Sequence, residues 1–241
     1  EVDVIFGEPL LVLALRFLVG IAAGLIINYF ADVLPAARRL AQPACQSCEQ
    51  PLPWKAYLLG RRCPACGQAR KLRFWMVILA AILLSLLLGS FPYGGLSYWA
   101  ALPLLVYFGV IVVVDMEHRL VLIETVLFGF VLLAFYGILL HGLLGSLLGA
   151  LGGFGVTILF YLLGVGFTKL MGKLRGKNIS TTAFGFGDVT AGTVLGLLTG
   201  WPGILGAIII ALLAFGALSL VYLLVLVATR RYRSFASALP F

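Results

Sequence analysis

Long apolar runs, separated by short polar or glycine- and proline-rich breaks, make up most of this chain. A helix needs ~20 mostly apolar residues to cross a bilayer. On that pattern seven spans are predicted, at 10–30, 74–91, 96–114, 121–140, 144–166, 186–200 and 203–228. The sixth is short enough to be tilted or re-entrant. Phe91-Pro92-Tyr93-Gly94-Gly95 and Gly200-Trp201-Pro202-Gly203 read as tight turns between spans. The only long polar segment is 31–73. The predicted fold is therefore an all-α polytopic membrane protein in three parts. A first transmembrane helix occupies 1–30, a polar loop 31–73, and a transmembrane core 74–241.

Composition agrees with this pattern. Of 241 residues, 62% are hydrophobic and 11% charged, and the mean hydropathy is +1.12. A water-soluble domain carries far more charge. No basic segment precedes the first apolar run, so a cleavable signal peptide is not expected.

The net charge of +8 raises nucleic acid as a partner. The basic residues lack the interleaved aromatics of a nucleic-acid surface, which argues against it. Their placement follows topology instead. The 31–73 loop holds Arg38, Arg39, Lys55, Arg61, Arg62, Arg70, Lys71 and Arg73. Arg119 follows the third span, Lys169, Lys173, Arg175 and Lys177 the fifth, and Arg230, Arg231 and Arg233 the seventh. Seven crossings put all of these on one face, and the positive-inside rule makes that face cytoplasmic. Arg16 alone falls inside a span.

Two acids stand at ends of apolar runs on that same face. Asp115 closes Val110-Ile111-Val112-Val113-Val114, and Asp188 follows Gly185-Phe186-Gly187 at the start of another run. Acids at membrane depth are costly and mark functional sites. Gly185 and Gly187 let the backbone approach another chain closely. The helix N-terminus favours an anionic Asp188, whereas a helix C-terminus disfavours an anionic Asp115. Two such carboxylates can share one proton, one acting as base on a water and the other as acid toward a carbonyl. Gly192, Gly196 and Gly200 clear one face of the helix behind Asp188 for close packing. Ser180-Thr181-Thr182 reads as a linker before the glycine turn.

The four cysteines form two C-x-x-C pairs, Cys45/Cys48 and Cys63/Cys66, with fourteen residues between the pairs. That spacing is close to a zinc ribbon. Four thiolates close the coordination shell of zinc, which makes the metal structural.

These residues resemble a family. Phe184-Gly185-Phe186-Gly187-Asp188-Val189 looks like the Gly-x-Gly-Asp motif of the type IV prepilin peptidases (leader peptidase/N-methyltransferases), shared with presenilin-like proteases. Val114-Asp115-Met116-Glu117-His118-Arg119-Leu120 is similar to their first-aspartate segment. The stretch from Asn28 to Leu34-Pro35 resembles the close of their first helix. Trp54 and Leu58-Leu59-Gly60-Arg61-Arg62-Cys63-Pro64-Ala65-Cys66-Gly67 resemble their cytoplasmic loop. The likeness runs in order from about 24 to 200. It departs at two points: Val121-Leu122-Ile123-Glu124 stands where many members have Ile-Pro-Asp, and Thr190 where many have lysine.

The resemblance implies an aspartyl endopeptidase of the bacterial inner membrane with its dyad, Asp115 and Asp188, facing the cytoplasm. It implies as substrates the precursors of type IV pilins and type II secretion pseudopilins, cut between a basic leader and an apolar helix. It also implies methylation of the new N-terminus with S-adenosylmethionine. No nucleotide-type fingerprint accompanies that second activity, and its binding residues stay unassigned. The alternative reading of the paired acids is a proton- or cation-coupled transporter.

Overall fold

The structure, a computed structural model, describes residues 10–45, 47–90, 95–118, 122–175 and 185–228. Ser180-Thr181-Thr182, Phe184, most of the 91–95 turn, Arg119, Lys177 and the cations at 230–233 lie outside them.

Among the described residues seven helical elements follow one another: α1 (Leu10–Ala37), α2 (Trp54–Leu58), α3 (Leu72–Ser90), α4 (Tyr98–His118), α5 (Ile123–Arg175), α6 (Phe186–Thr199) and α7 (Gly203–Ala228). No strand occurs among the described residues. Five of the helical elements are long and apolar enough to cross a membrane among the described residues: α1, α3, α4, α5 and α7. The chain is a membrane protein. Of the seven spans predicted, two fall within the kinked α5. Segments 121–140 and 144–166 are two helices that meet within α5 at Gly142, whose φ of 73° and ψ of 168° are non-helical, so the predicted break between them is present. The 14 residues of α6 reach ~21 Å at ~1.5 Å per residue, short of a ~30 Å hydrocarbon core. The first helix also outruns its predicted end at 30. Pro35 lies in its last turn, and Ala37 ends it where Arg38 takes a left-handed φ of 49°.

The described chain falls into two compact units, divided between Thr125 and Val126. In the first unit α1 and α3 run antiparallel at backbone contact. A methyl group added at Gly20 would lie 2.7 Å from the Ile82 Cα, and one at Gly24 2.8 Å from the Ile78 Cα. Further along, the Asn28 amide donates to the Phe74 carbonyl at 3.1 Å. Ile27, Ala31, Ala81, Val110, Val114 and Leu122 form the apolar core that adds α4. At one end of this bundle, Ser85 donates to the Arg16 carbonyl at 2.9 Å and meets the Tyr98 hydroxyl at 2.8 Å. The Arg16 guanidinium lies 5.6 Å from the Tyr98 ring centre, and Gly89 leaves room for it. That is how a cation inside a predicted span is accommodated. The other end gathers the close of α1, the cysteine-bearing segment, the start of α3 and the close of α4.

In the second unit α5 and α6 meet along small residues, as the glycine stripe predicts. Gly192 faces the Thr157 side chain, and the Gly192 carbonyl faces Gly153. Gly196 abuts the Gly149 carbonyl, with the Ala150 Cα 3.0 Å from where its Cβ would be. Ser146 donates to the Leu197 carbonyl at 2.9 Å. Because the opposing atoms at Gly196 are backbone, they cannot turn aside. Gly196→Leu is expected to lower stability by about 2–3 kcal/mol or more, read as a fall in the thermal unfolding midpoint of the detergent-purified chain.

Candidate functional site

Gly185 is the N-cap of α6, with φ −86° and ψ 157°. Asp188 sits three residues on and reaches back: its carboxylate accepts the Gly185 N–H at 2.9 Å. Its own N–H donates to the Gly185 carbonyl at 3.1 Å. The Gly-x-Gly-Asp turn is thus a helix start closed by its own acid. Asp188 remains exposed, while Val189 behind it is 1% exposed. Thr157 of α5 approaches the Val189 carbonyl at 3.5 Å. The acid therefore stands at the free end of a helix whose position is set by glycine packing.

Asp115 belongs to the first unit. It is exposed in the last turn of α4, next to Val114, which is 3% exposed. No hydrogen bond or ion pair engages it among the described residues. Two other acids of this unit, Asp32 and Glu117, are paired. Asp32 of α1 is paired with Arg73 and lies 3.8 Å from Arg70. It also accepts the Tyr57 hydroxyl at 2.7 Å. Burial, and then the Asp32 carboxylate, push the Tyr57 hydroxyl well above its usual range, so it stays a donor. Glu117 is paired with Arg73. His118 and Glu124 are exposed at helix ends. His141 stands next to the break at Gly142 and packs on Gly200.

The cysteines form one cluster. All four Sγ atoms lie within 4.8 Å of one another. Cys45 and Cys66 are 3.7 Å apart, and Cys48 and Cys63 3.8 Å. A tetrahedron with metal–sulfur bonds of about 2.3 Å has edges of about 3.8 Å. The group can hold a metal ion such as zinc. Its two halves share one backbone plan. In each, the first cysteine N–H donates to a glutamine carbonyl five residues on, Gln50 or Gln68, at 2.9 Å. In each, the N–H four residues on, of Glu49 or Gly67, returns to the first cysteine at 2.9 Å. The sequence carries this as a repeat, Cys-x-x-Cys-(Glu or Gly)-Gln.

Backbone donors aim at the first thiol of each half. The N–H groups of Ser47 and Cys48 hold Cys45 down to about 6. Those of Cys66 and Ala65 lower Cys63. At Cys48 the Gln50 N–H pulls downward, but burial and the neighbouring sulfurs outweigh it, to about 12. Four thiols this close cannot all ionise without a cation among them, which is the situation a divalent metal resolves.

The repeat also exposes a strain. Gly67 and Glu49 occupy equivalent left-handed positions, at φ 71° and 57°. A side chain there costs about 1–2 kcal/mol. Glu49→Gly is expected to tighten metal binding about three- to tenfold and Gly67→Ala to weaken it similarly, measured by competition with a chromogenic chelator.

No protein-family model, curated protein or solved structure matches the chain.

The sequence reading missed the buried ionic network of Asp32, Tyr57, Arg70, Arg73 and Glu117. The available signal was Asp32 itself, an acid near the end of an apolar helix. A further buried polar group lies beside it. Asn28 is 0% exposed, and its Oδ1 has no partner among the described residues.

Proposed function

We propose that the chain is a membrane aspartyl endopeptidase of the prepilin-peptidase kind, with Asp115 and Asp188 as its acids. One observation carries the reading most. Among the described residues each acid stands exposed and free of any ion pair at the end of a helix fixed by close packing, whereas Asp32 and Glu117 are paired with arginine. An acid left unneutralised at a helix end can take up and release a proton, which an acid locked to an arginine cannot do as readily.

In this mechanism the two carboxyl groups share one proton. The ionised one removes a proton from a water as its oxygen adds to the scissile carbonyl, and the protonated one donates to the carbonyl oxygen. Collapse of the tetrahedral intermediate breaks the carbon–nitrogen bond, and the amine leaves with a proton. Gly185 and Gly187 admit the substrate backbone. The substrate is a basic leader joined to an apolar helix, as in prepilins and pseudopilins. The leader meets the site from the cytoplasmic face of the inner membrane, and the helix stays in lipid. Zinc, held by Cys45, Cys48, Cys63 and Cys66, supplies a structural cross-link to the segment between α1 and α3. Methylation of the new N-terminus from S-adenosylmethionine rests on the family resemblance alone.

The test is incubation of the purified chain with a leader-bearing substrate in detergent, with and without S-adenosylmethionine, followed by mass spectrometry. Loss of the leader is expected, and an added methyl group reads the second activity separately. An intact substrate, together with proton or cation flux in liposomes that depends on Asp115 and Asp188, contradicts the peptidase reading and favours transport.

A further inference from the structure

Arg73 stands where three helices of the first unit come together. It lies one residue into α3, and its two terminal nitrogens hold carboxylates on two other helices. Nη2 holds Asp32 of α1, and Nη1 holds Glu117 of α4. A planar guanidinium fork can grip two carboxylates at once; an ammonium point charge cannot fix both directions.

The two grips are unequal. The Asp32 side chain is 4% exposed, and that of Glu117 26%. A carboxylate as buried as Asp32 is costly unless paired and hydrogen-bonded. It has both, from Arg73, Arg70 and the Tyr57 hydroxyl. Asp32 therefore anchors the guanidinium, and the anchored guanidinium reaches out to Glu117. The anchor is itself continuous with the cysteine cluster, because Tyr57 and Phe74 share one buried core with Cys45, Leu52 and Cys63.

Glu117 lies in the last turn of α4, two residues beyond Asp115. The last turn of a helix has carbonyls without intrahelical partners and frays readily. Among the described residues no side-chain bond holds Asp115 there. Val114 packs this turn into the apolar core, and the Arg73–Glu117 pair adds a polar tie that sets its end.

We propose that Arg73 is a positioning residue for Asp115: anchored by Asp32, it holds the end of α4 through Glu117 and so sets where the Asp115 carboxylate stands. The inference rests on the reading of Asp115 as a catalytic acid. It assigns the metal-bearing segment a role in the reaction that passes through contact, without the metal touching substrate.

The experiment uses the full chain in detergent with Glu117→Ala, Glu117→Gln and Arg73→Lys, read by cleavage kinetics and by hydrogen exchange at residues 112–118. Glu117→Ala is expected to lower kcat by about ten- to a hundredfold with KM unchanged, the signature of a misplaced reacting group. Exchange at 112–118 is expected to quicken about tenfold, with the Asn28 region of α1 unaffected. Glu117→Gln keeps an oxygen for Arg73 and is expected to recover most of kcat. Arg73→Lys is expected to behave like Glu117→Ala. If Glu117→Ala keeps kcat within about twofold while Asp115→Asn abolishes cleavage, the positioning role is wrong and the peptidase reading stands. If the native chain cleaves nothing, the peptidase reading fails, and the positioning role in catalysis with it. The exchange measurement still judges the tie itself: unchanged exchange in Glu117→Ala shows that Arg73 does not hold the end of α4.

Discussion

Asp115→Asn and Asp188→Asn are each expected to reduce cleavage of a leader-bearing substrate by about 10²–10⁴-fold, the range for loss of a general acid or base. The amide is the right replacement because it separates chemistry from structure. Asn at 188 retains an oxygen that can accept the Gly185 N–H, so the start of α6 keeps its cap. What it loses is the charge at a helix N-terminus, about 0.3–1 kcal/mol. Asp115 has no bond to lose among the described residues. Both variants should therefore unfold near the native midpoint while their activity collapses. The double variant is expected to be little worse than either single one, because two groups that share one proton act as a unit and their losses do not add. Cleavage time courses by mass spectrometry, beside thermal unfolding of the same preparations, check both halves. Activity within a few-fold of native in either single variant contradicts the dyad.

The second large effect is expected at the cysteines. Replacing Cys45 or Cys63 with serine should reduce bound zinc from one ion per chain to almost none, measured by elemental mass spectrometry. These two thiols receive the backbone N–H donors that favour the thiolate, and a hydroxyl cannot ionise in their place. Structural zinc contributes about 10–16 kcal/mol of apparent binding free energy in small zinc modules near neutral pH. The segment between α1 and α3 has little else to hold it. Its buried apolar core is Leu52, Tyr57 and Phe74 with two of the cysteines themselves. Loss of the metal should therefore expose Tyr57 and free Asp32 from one of its donors. Protease sensitivity confined to residues 39–71 is the expected result, with the membrane helices still intact. Full zinc occupancy in both serine variants contradicts the assignment of the ligands.

Much of this was legible because the signals are local. Apolar runs gave the helices, and a four-residue glycine rhythm at Gly192, Gly196 and Gly200 announced a backbone-to-backbone contact. The partner stripe, Gly149 and Gly153, was visible as frequent glycine but not as the matching face. The two C-x-x-C pairs gave the cysteine cluster, while the left-handed turn at Glu49 was hidden because glutamate does not advertise it. Segments 121–140 and 144–166 read as separate because Gly142 looks like a turn, and its non-helical backbone does separate two helices there. The ionic network was not legible. Arg73 meets partners 41 and 44 residues away, and no periodicity links them. Its cation was read as one of a loop's topology charges, when two carboxylates on neighbouring helices were waiting for it.

The most direct test of the account is whether positions 115 and 188 approach each other in the folded chain. Cysteines placed at both positions, in a zinc-loaded protein whose native cysteines are protected by the metal, are treated with a short bis-methanethiosulfonate reagent and digested. The account predicts a single internal cross-link joining the peptide that carries position 115 to the one that carries position 188. Complete modification of both cysteines as separate, unlinked peptides contradicts it.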